Sequence, residues 1–79
     1  MTVSVLFFGA TAEIAGTRRM DMDAVEGEPA SAVFDHVLRE FPDLAKHKLH
    51  FSVNQQFANG AETIRDRDEL AIFTAVSGG

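Results

Sequence analysis

The group in this chain whose setting most suggests chemistry is the α-carboxylate of Gly79, at the end of the run Ala75-Val76-Ser77-Gly78-Gly79. Glycine loses more backbone freedom on ordering than any other residue, and two in succession suit a backbone that must enter a narrow space. An unperturbed terminal carboxylate has a pKa of ~3.5, so at neutral pH it is ionised and a poor electrophile. It reacts only after another enzyme activates it, and adenylation to a mixed anhydride is the most direct route. The other reactive side chains assemble into nothing comparable. The chain contains no cysteine, which removes disulfides, thiolate nucleophiles and zinc-thiolate sites together. His36, His47 and His50 are the only histidines, and His47-x-x-His50, with no carboxylate pair in register, reads as surface residues rather than metal ligands. No serine sits in a nucleophile elbow, Gly9 and Gly16 are too far apart for a phosphate-binding loop, and Asp66, Asp68 and Glu69 crowd a polar turn. No metal and no autonomous active site are expected.

Size points the same way. A chain of 79 residues is one domain that buries only ~60 % of its unfolded surface, with no room for a deep catalytic cleft. A carrier or binding module is expected. A hydrophobic content of 46 % with 24 % charged residues is that of a folded globule. The formal charge of −5 disfavours nucleic acid and anionic membranes as partners, because both are held chiefly by Lys and Arg. A partner with a basic rim suits it better. No apolar run approaches the ~20 residues of a membrane-spanning helix, and Met1-Thr2-Val3-Ser4 lacks the basic start of a signal peptide. The expected location is cytoplasmic.

The elements that must position the tail follow from apolar periodicity. Thr2 to Phe8 alternates, with Val3, Val5 and Phe7 on one face and Ser4, Leu6 and Phe8 on the other, as a central strand would. Ala12 to Ala15 with Gly16 behind it makes one helical turn closed by a glycine cap. Thr17 to Val25 returns as a second strand, with Met20, Met22 and Val25 packing. Glu26-Gly27-Glu28-Pro29 is a turn, within an acidic, solvated stretch that includes Asp21 and Asp23. Ser31 is expected to cap a helix whose stripe is Phe34, Val37, Leu38 and Phe41, ended by Pro42. Leu44 anchors the next connection. Leu49 to Val53 is a strand with Leu49, Phe51 and Val53 inward and His50, Ser52 and Asn54 outward. Asn59-Gly60 supplies a turn signal, Asp66 to Glu69 another, and Leu70 to Phe73 forms the last strand, with Leu70 and Ile72 inward. The expectation is an α+β fold: a mixed sheet with one main helix packed across it, the first and last strands adjacent in its centre as in a β-grasp. The folded domain is set at residues 1–74 and the tail at residues 75–79.

The same parities leave Leu6, Phe8, Phe57 and Phe73 on the face away from the helix, and an exposed apolar patch of that kind marks an interface. Taken together, Val5-Leu6-Phe7-Phe8, Ala12-Glu13 with Gly16, Val53-Asn54-Gln55, Asp68-Glu69-Leu70-Ala71-Ile72-Phe73 and Val76-Ser77-Gly78-Gly79 resemble the small sulfur-carrier subunits of molybdopterin synthase. These belong to the ubiquitin-like β-grasp group that also holds the thiamine sulfur carrier. The likeness spans the chain, and its most specific part is the terminal Gly-Gly. Members often carry prolines before the tail, where this chain has Thr74-Ala75.

The resemblance implies two partners. An E1-like adenylating enzyme, using its own ATP, activates Gly79 for conversion to a thiocarboxylate. A large synthase subunit, in a heterotetramer of two copies of each, then receives Gly79, Gly78, Ser77 and Val76 in a pocket where sulfur passes to a pterin precursor of the molybdenum cofactor. The resemblance further implies that the chain binds no cofactor itself, and that docking uses Leu6, Phe8, Phe57 and Phe73. Other readings of the same tail are a ubiquitin-like modifier joined to lysines, a sulfur carrier for thiazole, tRNA or cysteine synthesis, and a plain interaction domain.

Overall fold

Strict alternation makes β1 (Thr2–Phe7), whose Val3, Val5 and Phe7 are buried while Thr2, Ser4 and Leu6 face the other way. The computed structural model describes residues 1–74. Gly9 and Gly16 bracket the short helix α1 (Ala10–Ala15), and Gly16 ends it in the left-handed conformation at φ 74°, donating to the Ala12 carbonyl. The chain returns as β2 (Arg19–Asp23), antiparallel to β1. Met20 and Met22 pack against the core as expected. Val25 does not: it is 67 % exposed, because β2 stops at Asp23 and the following turn, with Gly27 at φ 86°, carries it away from the sheet.

Helix α2 spans Ala30–Glu40 and buries Ala30, Val33, Phe34 and Val37, with Leu38 and Phe41 packed alongside. Each of the larger buried side chains stabilises the fold by about 1.5–3 kcal/mol. The helix begins two residues earlier than a Ser31 cap requires. Its N-cap is Pro29, with no side-chain hydrogen bond. The free helix donors find backbone acceptors instead: Ala30 N donates to the Glu62 carbonyl at 2.7 Å and Ser31 N to the Gly60 carbonyl at 2.9 Å. The loop that supplies them is itself tied by the Glu62 carboxylate, which accepts from the Asn59 and Gly60 amides, both at 2.9 Å. Those bonds, the Asn59 amide foremost, hold the Glu62 carboxyl below the usual glutamate range. Asn59-Gly60 is therefore a brace for α2 rather than a turn joining two strands.

Phe41, extended before proline, ends α2, and Pro42 opens a 3₁₀ turn (Pro42–Lys46) that buries Leu44 completely. Then come β3 (Leu49–Val53), the two-residue β4 (Gln56–Phe57) and β5 (Glu69–Thr74). The β3–β4 hairpin turns at Asn54 and Gln55, both at positive φ, 50° and 69°. The sheet order is β2-β1-β5-β3-β4, with β1 and β5 parallel and the other pairs antiparallel. The parallel seam near its centre is the one expected for the first and last strands. α2 covers one face; Phe34 lies 4.2 Å from Phe51 between ring centroids, and Phe7 meets Phe41 edge-on at 5.6 Å. Ile64, a lone apolar residue in a polar stretch, plugs this core and is fully buried.

Candidate functional site

The sheet face away from α2 is built row by row by strand register. One row crosses all five strands as Arg19, Leu6, Ala71, Ser52 and Phe57. The next row toward the end of β5 pairs Phe73 with His50, and the row on the opposite side holds Asp21, Ser4 and Glu69. Paired residues share a face in a sheet, so this surface divides into an apolar half and a charged half.

In the apolar half three rings gather. His50 stacks on Phe73 at 5.8 Å between centroids, Phe57 lies 5.9 Å from Phe73, and His50 meets Phe57 edge-on at 6.4 Å. Phe57 remains 79 % exposed. Leu6 is half-buried in β1 and Phe8, just past its end, is 52 % exposed. Leu6 and Phe57 stand in one row with β5 and β3 between them, a span of roughly 14 Å at ~4.8 Å per strand. The two apolar ridges are thus joined by a floor of small residues, Ala71 and Ser52, both buried. Beside Leu6 and Phe8 a shallow hollow is bounded by Ala12, Glu13, Arg18 and Arg19.

The charged half is tied to itself. The Ser4 hydroxyl donates to Asp21 at 3.1 Å and accepts from the Arg19 guanidinium at 3.0 Å, which also lies 3.5 Å from Asp21. At the other side of this end, the Asn54 side chain donates to Asp68 at 3.0 Å and accepts the Glu69 amide at 2.9 Å. These exposed pairs contribute little stability each but keep the end of the sheet away from Phe73 hydrated.

Of the four residues expected on an interface, Phe57 and Phe73 come together in the ring cluster, and Leu6 and Phe8 form the separate ridge on β1. Val76, Ser77, Gly78 and Gly79 lie outside the described residues; they follow Thr74, the residue after Phe73. His50, expected to point outward but not counted with the apolar patch, joins the ring cluster. Its outward parity was legible, but its stacking on Phe73 depends on the β3–β5 register, which no local signal reports. His47 is exposed, and among the described residues no group of three His, Cys, Asp or Glu is placed to hold a metal ion. No described helix is long and apolar enough to cross a membrane.

A five-stranded mixed sheet around a parallel β1–β5 seam, with α2 packed across one face, is the ubiquitin-like β-grasp. Residues 5–79 match the model of the ThiS family, and the chain belongs to that family. It is 25 % identical over 79 residues to the molybdopterin synthase sulfur carrier subunit of Arabidopsis thaliana, covering 98 % of this chain and 82 % of the relative. Among solved structures it resembles SAMP1 from Haloferax volcanii, with a TM-score of 0.88, 25 % identity and full coverage of both chains. It also shares its fold with a chain in the complex of subunits 1 and 2 of the molybdopterin-converting factor from Helicobacter pylori, with a TM-score of 0.72, 22 % identity and full coverage of both.

Proposed function

We propose that this chain is the sulfur-carrier subunit of a molybdopterin synthase. The observation that carries the reading is membership of the ThiS family over residues 5–79, together with likeness over 98 % of this chain to a relative of that name. In this reading a Gly79 carboxylate oxygen attacks the α-phosphorus of ATP on an E1-like enzyme, pyrophosphate leaves, and a mixed anhydride forms. A sulfide equivalent from a sulfur donor then displaces AMP, leaving a thiocarboxylate. The sulfur passes to a pterin precursor held by the large subunit, and water restores the carboxylate. Bases and oxyanion donors come from the partners, whose contribution is to hold the reacting groups together. The chain itself requires no cofactor.

Docking on the large subunit is assigned to the open apolar half-face, through Leu6, Phe8, Phe57 and Phe73, with His50 among them. The existence of a two-subunit complex for the Helicobacter pylori neighbour supports a partner of this type, and an assembly of two copies of each subunit remains part of the reading. A cytoplasmic location accords with it.

The test is the intact mass after incubation with ATP, a sulfur source and the activating enzyme of the same cell. The full chain gains the mass of one oxygen exchanged for sulfur, whereas a chain lacking Gly79 keeps its fold and gains nothing. A truncated chain that still loads sulfur overturns the proposal. Recovery of the chain joined to lysines of other proteins, with no thiocarboxylate formed, replaces the carrier by a modifier.

A further inference from the structure

The last described rung of the β1–β5 seam is Phe7 opposite Ile72; beyond it Phe73 and Thr74 pair toward β3, with His50 and Leu49. At that point a side chain from α1 enters the ladder. Thr11 has no exposed surface, although threonine is more often found at the protein surface. Its Oγ1 accepts from Phe8 N at 2.9 Å and lies 2.8 Å from both the Phe8 and the Ile72 carbonyl oxygens. The direct bond from Phe8 N to the Ile72 carbonyl is long, at 3.2 Å. A hydroxyl has one proton to give, and the Phe8 carbonyl already accepts the Thr11 amide at 3.2 Å. The amide that reaches the Ile72 carbonyl, also at 3.2 Å, is the one already given at 2.9 Å to Thr11 Oγ1, so the Ile72 carbonyl has the greater need of the hydroxyl proton. Thr11 acts as an inserted rung: Phe8 N–H to hydroxyl oxygen, hydroxyl proton to the Ile72 carbonyl, where the strands begin to part.

Resting on the sulfur-carrier reading above, we propose that Thr11 is a positioning residue for the tail. The Ile72 carbonyl belongs to the Ile72–Phe73 peptide, whose plane sets the course of the chain through Phe73 into Thr74. One buried hydroxyl thus couples Phe8, on one ridge of the apolar face, to the last residues of β5. Burial alone does not require the oxygen, since valine has the same shape. What valine lacks is the rung.

The experiment loads sulfur onto the full chain with the activating enzyme, ATP and a sulfur source, varying carrier concentration to separate kcat from KM. Thr11→Val lowers kcat about tenfold or more, as a reacting group displaced by a fraction of an ångström would, while KM stays within about twofold because Thr11 is fully buried and no surface side chain is changed. Thr11→Ser restores kcat to within about twofold, and amide exchange at Phe73 and Thr74 quickens in the valine variant alone. If valine does not fold, Thr11→Ala, which forces no methyl group against the two backbone groups, is measured in its place. Unchanged kcat per folded molecule, a rise in KM alone, or serine behaving like valine overturns the role of Thr11 and leaves the carrier reading standing. A wild-type chain that gains no sulfur from an enzyme active on another carrier overturns both.

Discussion

The two faces of this sheet are made by the same strands and differ in what covers them. On the helix side, Val3, Val5 and Phe7 of β1 and Leu70 and Ile72 of β5 are buried under α2 from one end of the seam to the other. On the open side, Leu6 and Phe8 give way to Ser4, and Phe73 gives way to Glu69, within a few residues. A face that meets its own chain is apolar throughout. A face that meets another molecule need be apolar only over the contact, and its charged remainder keeps the free carrier hydrated. The difference separates residues that hold the fold from residues free to serve binding.

The largest effect expected is on the covered face. Phe7→Ala removes a fully packed ring that also contacts Phe41, and the loss of burial plus a cavity destabilises the domain by about 3–5 kcal/mol in urea titration. A loss below about 1 kcal/mol would mean that the two faces are not energetically distinct. On the open face Phe73→Asp works in reverse. Stability falls by about 1 kcal/mol or less, while affinity for the large subunit drops at least tenfold, because a charge would have to be desolvated in an apolar contact. Calorimetry of the complex reads the second quantity, and unchanged affinity would remove Phe73 from the contact.

The smallest effect belongs to the brace at the start of α2. Because the folded Glu62 carboxyl sits below its usual value, its contribution to stability is fully present above the unfolded pKa and fades as pH falls through the lower folded one. Glu62→Gln lowers stability at neutral pH slightly and flattens that acid limb, leaving sulfur loading as it was. An acid limb as steep as that of the parent would show that the carboxylate brace contributes nothing.

Much of the fold was legible because its signals are local. Alternation in Val3, Val5 and Phe7, the stripe of Phe34 and Val37, the stop at Pro42 and the cap at Gly16 each depend on neighbours a few residues away, and all lie where they were expected. The errors fall where a distant segment supplies what a local signal promised. Ser31 is not the helix cap because the carbonyls of Gly60 and Glu62, about thirty residues on, already hold the helix donors. Val25 is exposed because β2 ends before it.

The candidate site divides along the same line. The outward parity of Leu6, Phe8, Phe57 and Phe73, and the Gly-Gly pair that follows them, could be read from residue types and a period of two. That His50 stacks on Phe73, that Ala71 and Ser52 make a floor between two ridges, and that Thr11 enters the ladder at Ile72 could not. Which residues face which way follows from residue order along each strand, since side-chain direction is a property of the strand alone. Which of them touch was settled by the fold, because register between strands far apart in the chain depends on the packing of the whole domain.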